Sequence, residues 1–263
     1  MFKNAFIGLV TVSLLLFSLN AFAIVTSWGY TTSSVFEDSI FSSGSGLNPV
    51  ITDSYLEWGY SSDARSSLEI DPDTVTDTVE TYVGGGSVPE SYWAEDISIT
   101  HDNVPITALS KSLLSTVIAS TVTLTPNAFA PADNFAFDVR VSFFETPNDG
   151  IDENDVFALL DGLPNANFWF DNGDGDGLVQ YFVNIFPSDG SVLSLLDGAY
   201  ADFVGVEPNT VLGFTTPENQ STTLPFAFTI STEPLQVVPE PATFVLLGGG
   251  LLGLAFYARR RKH

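Results

Sequence analysis

Phe135-Ala136-Phe137-Asp138-Val139-Arg140-Val141-Ser142-Phe143 alternates apolar and small or polar side chains without a break. A period of two puts every second side chain on one face, so this stretch predicts a half-buried β-strand. Val179, Tyr181, Val183 and Ile185 alternate in the same way. Phe182 and Phe186 make the other face of that run partly apolar, as in a central strand. Shorter runs rich in Thr, Val, Ile and aromatics predict strands at Trp28 to Tyr30, Leu56 to Tyr60, Ser67 to Ile70, Val75 to Val83 and Asp96 to Thr100. Val117 to Leu124, Val211 to Thr215 and Phe226 to Ser231 read the same way. Between the runs lie turn formers such as Asp71-Pro72, Gly84-Gly85-Gly86, Ser188-Asp189-Gly190 and Pro217-Glu218-Asn219. Short strands at this spacing predict an all-β fold, a single β-sandwich of jelly-roll or immunoglobulin-like type. Ala108 to Ile118 reads equally as a short helix, because Leu109, Leu113, Leu114 and Val117 fit helical spacing. No fixed period repeats along the chain, which argues against a propeller or solenoid.

The 263 residues hold 32 acidic against 8 basic side chains, a formal net charge of −24. Five of the basic residues lie near the ends. Between them only Arg65, Lys111 and Arg140 face every acid but Glu240. Such a field repels nucleic acid and anionic lipid and attracts cations, so calcium is an expected companion and nucleic acid is not a partner. There is no cysteine, so the core alone must hold the fold and thiol chemistry is excluded.

The two ends read as addresses. Lys3, an apolar stretch from Phe6 to Leu19 and the small residues Ala21 and Ala23 around Phe22 form a secretory signal peptide pattern, with Ile24 as the expected first residue after cleavage. At the other end Pro239-Glu240-Pro241 precedes an apolar run from Ala242 to Ala258 and the basic tail Arg259-Arg260-Arg261-Lys262. Prolines bar the motif from a helix interior, the run is just long enough to span a bilayer, and the basic cluster stays cytoplasmic. This order resembles the PEP-CTERM sorting signal of Gram-negative bacteria that secrete exopolysaccharide. The resemblance implies processing by an exosortase and delivery to the exterior. The expected layout is a signal peptide at 1–23, a β-sandwich ectodomain at 24–231, a linker at 232–237 and the sorting signal at 238–263, with a transmembrane helix over 242–258 as a transient inner-membrane anchor.

Thr100-His101-Asp102-Asn103 contains the one histidine besides His263. It is similar to the signature of the THxN family of PEP-CTERM proteins, as are Leu56-Glu57-Trp58-Gly59 with Ser66-Ser67-Leu68, and Phe144-Glu145-Thr146-Pro147-Asn148. That resemblance brings an address and an architecture but no activity. A histidine between Thr100 and Asn103 at a strand end suits a hydrogen-bond hub that ties a turn; a metal ligand or general base is the alternative. A hydrolase would also need an activated nucleophile, and the chain has no Gly-x-Ser-x-Gly elbow.

Asn172, Asp174 and Asp176, alternating with glycines, match the start of a calcium loop. Position twelve from Asn172 is Val183 rather than Glu, which excludes an EF-hand and leaves a β-hairpin loop. Asn148 to Asp155 is a second oxygen-dense stretch, able to share a site with the first if their strands pair. Trp58, Trp93 and Trp169, with Tyr55, Tyr60 and Tyr92, are either core or stacking surfaces for sugars. Many acids are present, yet no spacing singles out a glycosidase pair. The sequence therefore predicts an exported, non-enzymatic protein, structural or adhesive within an exopolysaccharide or biofilm matrix. Its partners are exosortase and extracellular polysaccharide or other matrix proteins. The alternative is a calcium-dependent, lectin-like carbohydrate-binding module, with a glycan-active hydrolase behind it.

Overall fold

The computed structural model describes residues 24–234, apart from 63, 85–86, 127–132, 147–153, 164 and 172–176. Among these the chain forms strands β1 (Ser27–Phe41), β2 (Val50–Ile51), β3 (Tyr55–Ser61), β4 (Ala64–Ile70), β5 (Thr74–Tyr82), β6 (Ala94–Asn103) and β7 (Leu113–Pro126). There follow β8 (Asp133–Phe144), β9 (Asn154–Leu159), β10 (Asn165–Phe170), β11 (Val179–Pro187) and β12 (Ser194–Leu195), then helix α1 (Gly198–Val204), β13 (Leu212–Pro217) and β14 (Gln220–Ser231). Ala21 and Ala23, expected to mark signal cleavage, the run 242–258 expected to span the membrane, and the sorting-motif residues lie outside the described residues.

The protein is mostly β-sheet. Hydrogen bonding links its strands in the order β12-β13-β9-β8-β7-β1-β5-β14-β6-β4-β3-β2, with β11 beside β14 and β10 beyond it. Among the described strands all pairings are antiparallel except the short junction of β14 with β5, at Ile230↔Thr81 and Ser231↔Tyr82. The 12-residue β14 makes that junction possible by pairing with β6 along its first part and with β11 along its last. Pro225 sits at the irregularity between them, where the ladder is already interrupted. In place of the separate sheets expected of a sandwich, the pairing runs as one open path.

That path places two sets of strands around a shared core. Phe36, Ile118, Val141, Phe143, Phe157 and Phe214 from β1, β7, β8, β9 and β13 cluster with Trp58, Leu68, Ile97, Ile99 and Leu224 from β3, β4, β6 and β14. A second core gathers Trp28, Tyr30, Val122, Tyr181, Val183 and Phe228. Trp28 sits at its centre, edge-on to Phe168, Phe170 and Tyr181 at 5.2–5.5 Å, with its indole N–H donated to Thr81 Oγ1 at 2.9 Å. Both cores draw on β1, β7 and β14, so these long strands tie them together.

The strand predicted around Phe135 to Phe143 is β8, with Val141 and Phe143 buried and Asp138 and Arg140 exposed. The helical option at Ala108 to Ile118 does not form, since β7 begins at Leu113 and buries Leu113 while Leu114 is 44% exposed. The β-branched run Thr116-Val117-Ile118 explains the outcome, for such side chains pack better on a pleated strand than against a helical turn.

Candidate functional site

His101 lies on β6, directly opposite Leu68 of β4, and its side chain is wholly buried. Aromatic rings enclose it. Trp58 of β3 stacks on the imidazole at 5.9 Å and 7° from parallel, while Phe143 and Phe157 meet it edge-on at 5.4 and 4.9 Å. Neither Nδ1 nor Nε2 has a hydrogen-bond partner among the described residues. Nε2 instead faces Asp155 Oδ2 at 3.6 Å, and Asp155 is itself fully buried at the start of β9. Burial without a close partner penalises the cation and pushes the His101 imidazole down to about 3. His101 is therefore a neutral ring inside the core rather than a hub of hydrogen bonds.

Asp155 belongs to a group of three carboxylates. One oxygen each of Glu145, Asp155 and Glu218 lies within 4.8 Å of the other two. Glu145 follows β8, Asp155 opens β9, and Glu218 sits in the two-residue turn between β13 and β14. Asn219 completes that turn at φ 58°, in the left-handed region that asparagine tolerates. Two of the three carboxylates are held by one oxygen. Trp58 Nε1 donates to Glu145 Oε2 at 2.9 Å, and the Thr146 backbone N–H donates to Asp155 Oδ1 at 3.0 Å. Glu145 Oε1 and Asp155 Oδ2 are left buried without a hydrogen-bond partner among the described residues.

Burial dominates the electrostatics of the cluster. It pushes the Asp155 carboxyl up to about 7, with the Thr146 N–H opposing the shift and the charge of Glu218 adding to it. It pushes Glu145 well above the ordinary glutamate value, and the neighbouring Asp155 raises it further. In water these acids would ionise readily; here each charge is poorly solvated and lies close to others of its own sign.

The other residues singled out in the sequence fall elsewhere. Thr100 points away from the cluster and shares a hydroxyl contact with Thr223 at 2.9 Å. Asp102 accepts from Ser221 on the same outer face. Asn103 is buried and donates Nδ2 to the Thr216 carbonyl at 2.9 Å, fastening β6 to β13 just before Glu218. Glu57 pairs with Arg65 at 2.8 Å. The calcium-loop residues Asn172, Asp174 and Asp176 lie outside the described residues. Their flanking strands β10 and β11 pair with each other, as do β8 and β9, so the two acidic stretches are not joined by strand pairing. Trp58 is core, Trp93 packs edge-on against Phe186 at 5.1 Å, and Trp169 on β10 is 57% exposed. Three separated segments, around Trp58, His101 and Glu145, thus meet at one place, joined by Asp155 and Glu218.

The fold and its cluster define a mostly β protein with a buried acidic centre. Comparison with known protein families matches residues 237–262 to the PEP-CTERM protein-sorting motif. The chain thus carries the signal of an exosortase-sorted extracellular protein. No curated protein matches the chain at a significant level. Among the described residues no helix is long and apolar enough to cross a membrane.

Proposed function

We propose that this protein is a non-enzymatic component of the extracellular matrix of an exopolysaccharide-producing cell, exported through a signal peptide at 1–23 and held briefly by a helix over 242–258 before exosortase processing. The sorting motif at residues 237–262 carries this reading, because it gives the chain an extracellular destination. Its acidic composition, −24 overall, suits a matrix in which divalent cations bridge anionic chains. The ectodomain, read as a sandwich-type scaffold, has two larger cores, a smaller cluster around Ala201, and no cysteine. A structural rather than catalytic role is supported by His101, which is sealed behind Trp58, Phe143 and Phe157 and has no surface to offer a substrate. The THxN resemblance fits this reading, since its histidine and asparagine are both core residues. A lectin-like role rests on the exposed rings of Trp169 and Tyr60.

Co-sedimentation of the purified full-length chain with the producing organism's exopolysaccharide tests the reading, first with calcium and then with chelator. Saturable binding is expected, weaker after chelation. Absence of binding in both conditions overturns the polysaccharide-matrix role. Binding abolished by Trp169→Ala would move the assignment to a carbohydrate-binding module.

A further inference from the structure

We propose that Glu145, Asp155 and Glu218 bind a divalent cation of calcium's class, with His101 as the residue that orients Asp155. The site goes beyond the matrix reading and does not depend on it. Three observations converge on an ion. The first is spacing: the three carboxylate oxygens lie within 4.8 Å of one another. Calcium–oxygen distances are about 2.3–2.6 Å, so ligands on opposite sides of such an ion stand about 5 Å apart.

The second is the way the carboxylates are held. Glu145 spends Oε2 on the Trp58 indole and Asp155 spends Oδ1 on the Thr146 N–H, which fixes both groups. The oxygens left over, Glu145 Oε1 and Asp155 Oδ2, are buried and lack a hydrogen-bond partner among the described residues. Preorganised acceptor oxygens left over in this way are what a cation requires.

The third is His101. Its side chain is fully buried, both nitrogens lack a hydrogen-bond partner among the described residues, and Nε2 is aimed at Asp155 Oδ2 from 3.6 Å. At 3.6 Å Nε2 stands beyond hydrogen-bond distance of that oxygen. A neutral imidazole with its proton on Nε2 still presents a polar N–H that favours one direction of the carboxylate, the usual service of an outer group to a ligating carboxylate. His101 acts through Asp155 and is a positioning residue. A cavity of about 110 Å³, lined by Thr107, Ser110, Ser112, Glu145 and Thr146, reaches the cluster at Glu145. The three carboxylates offer hard oxygen ligands, which suit calcium, magnesium or manganese rather than the thiophilic metals.

Terbium is a suitable probe, because the Trp58 indole lies 2.9 Å from Glu145 and can sensitise its luminescence. The full-length chain is titrated with terbium and then with calcium. Calcium-displaceable emission is expected, and Glu218→Gln is expected to lower terbium affinity at least tenfold with an unchanged circular dichroism spectrum. Glu218 is the safest ligand to change, since it sits in a turn. Trp58→Phe should dim the emission while a calcium-induced rise in melting temperature persists. His101→Phe should lower affinity, and His101→Gln, which restores a donor, should recover part of it. Asp174→Asn with Asp176→Asn should leave the signal in place. The proposal is overturned if wild-type emission is absent or not displaced by calcium. It is equally overturned if folded Glu218→Gln and Glu145→Gln bind as wild type, or if only the Asp174 and Asp176 changes abolish binding.

Discussion

Trp58 and His101 lie with their rings 7° from parallel, and the same indole passes its N–H to Glu145 at 2.9 Å. One side chain on β3 thereby sets both the imidazole on β6 and a carboxylate beyond β8. Trp58→Phe keeps most of the stacking surface but removes the donor. With Glu145 Oε2 left unpartnered in a buried place, it is expected to cost about 1–3 kcal/mol of stability in urea unfolding. A midpoint equal to wild type would contradict the role given to the indole N–H.

The pH dependence of the metal-free protein follows from Glu145, Asp155 and His101. His101, held near 3 when folded, is protonated in the unfolded chain below about 6.5, so it reduces stability as pH falls below that value. Asp155, raised to about 7, keeps a proton in the folded state that the unfolded chain releases near 4, so it reduces stability as pH rises. These two largely offset between about 4 and 6.5. Glu145, also raised, is left to set the net slope: stability should fall as pH rises above the ordinary glutamate range. In chelator, the urea midpoint is expected to be higher at pH 5 than at pH 7.5, and calcium should reverse that order. A midpoint that rises with pH in chelator would contradict the electrostatics of the cluster.

Gly213 on β13 lies against its neighbours so closely that a Cβ there would collide with the Phe157 carbonyl oxygen and both Leu196 methyls. Backbone cannot give way as a flexible side chain can. Gly213→Ala is expected to destabilise by about 1–3 kcal/mol, read from the thermal midpoint, and to weaken the β13–β9 pairing that leads to Glu218.

The two ends of the Thr100-to-Asn103 motif should behave unequally. Asn103→Ala leaves the Thr216 carbonyl unpaired in the core and is expected to cost about 1–3 kcal/mol. Thr100→Ala removes only an exposed hydroxyl contact and should change stability by less than about 0.5 kcal/mol. Equal effects in chemical denaturation would show that the motif is not divided between core and surface in this way.

Strands with a clear apolar–polar alternation are legible in the sequence, and β9, which has none, is not. β8 and β11 announced themselves by alternation. β9 escaped because Val156, Phe157 and Ala158 are all buried, Phe157 in the main core and its two neighbours with Ala201 of α1, so no period of two survives. Ile24 to about Asn48, with Trp28, Tyr30, Phe36 and Phe41, reads as the domain's first strands. The unbroken length of β1 is hidden, because Thr32 and Ser34 occupy inward positions that the pattern reserves for apolar residues. The site shows the same contrast. A local pattern drew attention to Asn172, Asp174 and Asp176, whereas Glu145, Asp155 and Glu218 are brought together with His101 by strand pairing over long sequence distances. Such a cluster has no spacing to read.

The measurement that tests the account most directly is the native mass of the protein recovered from outside the producing cells. The expected species begins at Ile24, ends near Pro239 to Pro241, and carries one divalent ion that is lost on chelation. An extracellular protein that retains the tail from Arg259 to Lys262 would contradict sorting and processing through the motif at residues 237–262.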